Sequence, residues 1–409
     1  MYIASIRFMR GSVTLGVMMA LLFGATLVVF FANRSALVEI KTSANQVRAA
    51  KAMEAAEAGQ EWSLVQLNSF TRVNALCNTI SAFDASDRTF RQRYLDPDDN
   101  PATINYSPLT PGCIKSNAGW SCSCPSGSGV PILAGSSLAF TVAFSTVDVE
   151  PSLVKITSTG CASWPCSQTE GTATTTQIIK FVPSLLTPPA APLTAKGNVD
   201  FGSNAITVTN TDTSTNGITI NAGGTVNGFI NSGTITTVPG TPPQGSLVGN
   251  DTSLSTLTDD QMFRTFFGRS KETFRNSPST TRVNCPSNCT DALSALVNSG
   301  VTTIWIKNDM NLQSNATFGS EDSPLVIVVD GNVHLNGSLT LYGVLYSTNA
   351  TWDNTGGGTA RVVGALIAEG DFTTTGTPDP TYDVKVLKNI KGNNGHYVKV
   401  PGSWKDFGG

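Results

Sequence analysis

Apolar residues run without a charge from Ser12 to Ala32, and Asn33 and Arg34 close the run. About 21 residues at about 1.5 Å of rise each cover about 30 Å, the thickness of a bilayer's hydrocarbon core. The pattern predicts a membrane-spanning helix over 12–32. Helix-forming sequence does not stop there: residues 35–67 hold no proline and are rich in Ala, Glu, Lys, Gln and Leu. Leu37, Ile40, Ala44 and Val47 recur at three- and four-residue steps, and Ala55, Ala58, Trp62 and Val65 resume the stripe after a phase shift. One long helix is therefore expected to leave the bilayer and carry an apolar face into a domain beyond it.

After the helix the period changes. Residues 138–144, 153–159 and 174–182 are short β-rich runs divided by turn residues, and they read as an antiparallel sheet packed on the second half of the helix. This gives a first domain over 33–185, closed by the proline-rich stretch 186–192, which reads as a semi-rigid linker. From Leu193 the chain repeats itself: residues 193–201 align with 327–335, Gly-Asn-Val included, and 304–312, 344–352 and 365–373 are looser copies. Starts at 304, 327, 344 and 365 lie about 17–23 residues apart, close to one coil of a parallel β-solenoid. A β-sandwich with similar hairpins is the alternative. Residues 254–298 interrupt the repeats with helical sequence: one helix over 258–267, where Thr258 can cap the first turn, and one over 291–297. The fold class is therefore α+β: a transmembrane helix with an antiparallel sheet domain, then a larger all-β domain over 193–409 with a helical insertion. The terminal stretch 397–407 is read as a cap on the last rung or a loose tail.

The leader ahead of the apolar run is unusual. A secretory signal is cut after its hydrophobic region, at an Ala-x-Ala-like site, and Phe30-Phe31-Ala32-Asn33-Arg34-Ser35 is a poor one. Instead Arg7-Phe8-Met9-Arg10-Gly11 sets a short basic leader before a glycine. Leader and apolar core resemble a type IV prepilin, and Ala52-Met53-Glu54-Ala55-Ala56-Glu57-Ala58-Gly59 is similar to the Ala-rich segment that follows the membrane helix of PilX-type minor pilins. A simple signal anchor is the alternative. The resemblance implies residues 1–11 as a leader, a cut by prepilin peptidase between Gly11 and Ser12, and a pilin-like arrangement of helix and sheet. Ser12 replaces the usual aromatic residue and leaves methylation open. The resemblance also places a glutamate at the fifth mature position, where this chain has Gly16. A carboxylate in hydrocarbon costs about 2.5–3.5 kcal/mol, so its loss eases insertion while removing a docking charge. That departure favours a minor or tip subunit over a shaft subunit.

Composition adds limits. The 409 residues carry a formal charge of −3 and only 13% charged residues, which gives no sign of a nucleic-acid partner. All eight cysteines lie beyond the membrane helix and read as a disulfide framework of an oxidising compartment. Cys161 with Cys166 and Cys285 with Cys289 are the expected local pairs. Cys77, Cys113, Cys122 and Cys124 are left to pair among themselves. No Cys/His spacing completes a zinc site, so neither a metal nor another cofactor is expected. The acidic loop Asp96-Pro97-Asp98-Asp99-Asn100 reads as a solvated turn, with calcium as the alternative. The two histidines, His334 and His396, fall in no catalytic pattern, and Asp330, Asp353 and Glu369 occupy different positions in their coils, so no enzyme is expected.

The expected function is a non-enzymatic minor pilin at a filament tip or initiation point, held in the bacterial inner membrane before assembly and on the pilus afterwards. Its partners would be other pilins through the helix, the peptidase and the assembly machinery. The large domain would face a surface or host receptor through coil edges and aromatics such as Trp305 and Trp352. A type II secretion pseudopilin, or a membrane-anchored β-solenoid adhesin unrelated to pili, are the other readings.

Overall fold

A computed structural model describes residues 10–80, 89–96, 103–104, 110–125, 133–147, 153–166, 171–203, 206–228, 234–313, 315–335, 337–348, 351–353, 359–374 and 376–406. Most of the leader and the acidic loop beyond Asp96 lie outside these residues.

Helix α1 (Arg10–Asn68) is continuous through the apolar run and the helical stretch after it. Among the described residues it is the one helix long and apolar enough to cross a membrane. Its last third lies on an antiparallel sheet of β1 (Gly112–Ser116), β2 (Gly119–Ser123), β3 (Ala139–Thr146), β4 (Leu153–Cys161), β5 (Thr172–Pro183) and β6 (Gly395–Lys399), in the order β6-β5-β4-β3-β1-β2. Of the stripe expected of it, Leu37, Ile40, Ala44 and Val47 are exposed, while Ala55 is buried and Ala58 and Trp62 pack on the same core. Ala52, Ala55, Ala56, Gly59, Gln60, Ser63 and Leu67 face the sheet, whereas Val65 is 65% exposed. At Ala52–Ala56 small residues take this face because the helix backbone there comes too close to Gly160 of the sheet for a larger side chain.

β6 corrects the reading of the C terminus as a cap or tail. Gly395 stands opposite Pro183 and Lys399 opposite Ile179, so the last strand completes the first sheet. Everything between β5 and β6 is thus one long insertion between neighbouring strands. The proline-rich connection is not a spacer either: Leu185 and Ala191 are fully buried, and the amides of Leu186 and Thr187 both donate to the Phe266 carbonyl.

Within the insertion the strands pair in parallel, one upon the next. Thr281, Ile304, Ile327, Leu345, Leu366, Leu193, Ile220 and Leu247 stand in one column by register. Two details differ from the sequence reading. Ile327 pairs with Leu345, one residue later than the repeat alignment placed it. And Thr281–Asn284 is itself a rung inside the stretch read as a helical insertion; two of its four residues are polar and exposed, which hides the strand.

The column also shows how the chain winds. It enters mid-stack at Leu193, climbs through Ile220 to Leu247 at one end, then crosses the flank through α3 (Asp259–Phe267) and α4 (Lys271–Arg275). It restarts at Thr281 at the other end and returns until Leu366 pairs with Leu193, its own first coil. Thr258 caps α3 as expected, accepting from the Gln261 amide while Gln261 Oε1 accepts from the Thr258 amide. α5 (Thr290–Asn298) covers the end next to Thr281 with Leu293 buried in the coil interior, and α6 (Val384–Asn393) leads back to β6.

One side of the stack is buried on both faces. Ile304, Ile306 and Ile327 point into the coils, while Trp305, Val328 and Tyr346 point outward beneath Phe263, Phe267 and Phe274 of α3 and α4. This explains the nearly continuous apolar runs at 303–306 and 325–329. It also corrects the reading of Trp305 as an exposed binding aromatic: it is 2% exposed. The side chain of Trp352 lies outside the described residues. Buried Glu369, one of the acids considered for chemistry, pairs with Lys271 and fastens α4 to the stack.

Candidate assembly helix and distal joint

Among the described residues, every position of α1 from Thr14 to Val47 is exposed. Leu15, Phe23, Val28 and Phe31 are each 60–69% exposed. A large apolar side chain left in water forgoes about 1.5–3 kcal/mol, so a surface this long requires lipid or another helix. At Gly16, where the resemblance places a docking glutamate, a Cβ would point into open space. The backbone of the expected processing site, Gly11 and Ser12, is helical, and the side chain of Ser12 lies outside the described residues.

Beyond the apolar run the helix is polarised. Arg34, Lys41 and Arg48 recur every seven residues and so fall on one face, drifting by about 20° per step. That face continues upward as the sheet-facing seam, and Arg48 sits against Gly171 beside the sheet. Glu39 and Glu57 lie about half a turn away, and all five side chains are exposed. No ion pair to any of the five forms among the described residues, whereas Glu54 reaches Lys115 at 4.0 Å and Glu61 pairs with Lys399.

The Ala-rich segment Ala52–Gly59 is the seam between helix and sheet. Ala52, Ala55, Ala56 and Gly59 form the buried face, with Glu54 and Glu57 turned to solvent. Opposite them is Gly160 of β4. A Cβ there would penetrate the backbone atoms of Ala52 and Ala56.

At the far end of α1 the sheet meets the coil stack, and one buried cation organises the joint. Arg91, in α2 (Phe90–Tyr94), donates from Nε to the Leu67 carbonyl (3.1 Å), from Nη1 to Asn393 (2.9 Å) and from Nη2 to Gly395 (3.0 Å). Leu67 and Asn393 close α1 and α6, so a single guanidinium neutralises the negative ends of both helices. α1 has no basic residue of its own in its last turn. Phe181 and Tyr397 flank the Arg91 guanidinium at 5.1 and 5.3 Å, and burial lowers its pKa. Asn68 adds two bonds to the Tyr397 backbone, donating to its carbonyl (3.0 Å) and accepting from its amide (2.7 Å). Arg91 was missed in the sequence because its partners are backbone carbonyls, which leave no motif.

His396, on β6, is buried in the same joint with Nδ1 3.2 Å from the hydroxyls of Ser277 and Ser279. Burial, with the charges of Arg269 and Arg91 adding to it, pushes its pKa down to about 4 from 6.5. A histidine held neutral in the fold but free to protonate when unfolded destabilises the fold as pH falls from about 6.5 towards 4. Unfolding midpoints measured between pH 7 and 5 are expected to fall with pH in the native chain and to flatten in His396→Gln. His334 stands on a rung strand opposite Asn311 and Asp353.

The cysteines pair as Cys77–Cys124, Cys113–Cys122, Cys161–Cys166 and Cys285–Cys289. The first ties the segment after α1 to the end of β2. The last precedes α5 at the stack's end. Among the described residues no cluster of His, Cys, Asp or Glu has the makings of a metal site.

No family model and no curated protein matches the chain. Among solved structures it is similar to the competence-associated pilin ComZ from Thermus thermophilus, at 11% identity over 88% of this chain and 97% of that one, with a TM-score of 0.24.

Proposed function

We propose that the chain is a PilX-type minor pilin, cut between Gly11 and Ser12 and assembled through α1. In this reading the inserted coils form a β-solenoid carried at the filament tip. The observation that supports it most is the division of α1: a long exposed run from Thr14 to Val47, then a tight seam on a sheet, then a joint to the coils at the far end. The bare helix suits the membrane before assembly and neighbouring pilin helices afterwards. The insertion lies beyond the end of α1, where a shaft would need room for the next subunit above, which favours a terminal position. Gly16 agrees, since a terminal subunit can forgo one helix-docking charge.

The mass of the mature protein tests the reading. Loss of residues 1–11 is the predicted result, with or without one added methyl on Ser12; an intact Met1 or a cut anywhere else contradicts it. The cation stripe gives a second prediction. With Arg34, Lys41 and Arg48 all changed to Glu, processing and membrane insertion are expected to persist while recovery in sheared filaments falls about tenfold, as like charges replace complementary ones between helices. Unchanged recovery would show that the stripe is solvated and plays no part in docking.

A further inference from the structure

The joint between sheet and stack holds a cleft. Gly300, just past α5, comes so close to the end of α1 that a Cβ there would lie 2.8 Å from the Phe70 carbonyl oxygen. Beside this contact the two bodies part around a cleft of about 720 Å³. Phe70 and Arg72 line it from the sheet side, Asn298 and Asp322 from the stack side, and Asn393 and Asn394 where α6 returns. Most other lining side chains are Ser or Thr.

We infer that this cleft binds a neutral oligosaccharide of two or three rings. Its size falls within the range of about 300–1,000 Å³ typical of ligand sites. Hydroxyls and planar amides, set beside one aromatic ring, offer hydrogen bonds to sugar hydroxyls and a face for the C–H side of a pyranose. Asn298 and Ser299 are exposed on the stack side of this lining, so a ligand seated in the cleft meets an amide and a hydroxyl there. An apolar ligand would leave such a lining unsatisfied. The lining gives no net selection for a polyanion: Arg91 is committed to three carbonyls, and Arg72 on one side is balanced by Asp322 on the other. The site extends the surface-binding side of the proposed function without depending on filament assembly.

The test uses the full chain in a zwitterionic detergent that carries no sugar headgroup. Chitotriose, maltotriose and cellotriose are titrated by calorimetry and by saturation-transfer NMR, with a neutral hexapeptide alongside. At least one trisaccharide is expected to bind with Kd below about 1 mM. Ser299→Trp, which fills the mouth from an exposed position, and Asn298→Ala are each expected to weaken that binding about tenfold, with the unfolding midpoint unchanged. No binding by any of the three sugars, binding that survives Ser299→Trp, or binding of the hexapeptide alone would overturn the inference. Each of those results leaves the mass of the amino terminus, and so the pilin reading, unaffected.

Discussion

Replacing Gly160 by alanine is expected to destabilise the helix–sheet body by at least about 3 kcal/mol, at the upper end of what overpacking one methyl costs. The size follows from what the methyl would strike. It would enter the backbone of Ala52 and Ala56, which no rotamer change can move aside. The helix would have to lift from β4, opening the core around Ala55, Phe140, Val142 and Ile156. Hydrogen exchange resolves the effect better than a single melting temperature, because a chain with a sheet body and a coil stack need not unfold in one step. Amides of β3, β4 and β5 should lose protection while those of the 325–330 and 360–368 strands keep it. Trimming Ala52 to glycine should not rescue the variant, since the obstruction is main chain. Rescue would show that side-chain crowding, not backbone approach, sets the seam.

Arg91→Ala is expected to cost about 3–5 kcal/mol, comparable to removing one partner from a buried charged pair. Three carbonyls, two of them at helix ends, would lose a donor at once, and water reaches them poorly. Arg91→Lys should recover only part of the loss. An ammonium is a compact point donor and cannot span carbonyls spread around a planar fork. The loss should concentrate at the joint, with faster exchange for β6 amides and for the last turns of α1 and α6. Equal stability of native and Arg91→Lys chains would mean that charge alone, not the fork, holds the joint.

The legible parts of this chain are those with a local signature. The uncharged run 12–32 and the proline-free stretch after it mark α1 without ambiguity, and alternation at 138–144 and 153–159 marks two strands of the sheet. Repeated Gly-Asn-Val placed Leu193 and Ile327 at equivalent positions, and the register puts both in one column. What stayed hidden is non-local. No sequence pattern says that Leu366 stacks on Leu193, because every coil offers the same apolar ladder to its neighbours. Gly395–Lys399 is too short to announce a partner some 200 residues earlier, so it read as a tail. Trp305 looked available for binding because an outward rung position is normally wet, and only the α3–α4 cover makes it core.

The central claim is that α1 is an assembly helix and that the inserted coils ride at the end of a filament. Its most direct test is to place an epitope in the exposed turn at Gly240 and locate it by immunogold microscopy on filaments sheared from cells expressing the full chain. Label at filament ends, absent from their sides, is the predicted result. Label spaced along the shaft, or confined to membranes while filaments carry none, would contradict it.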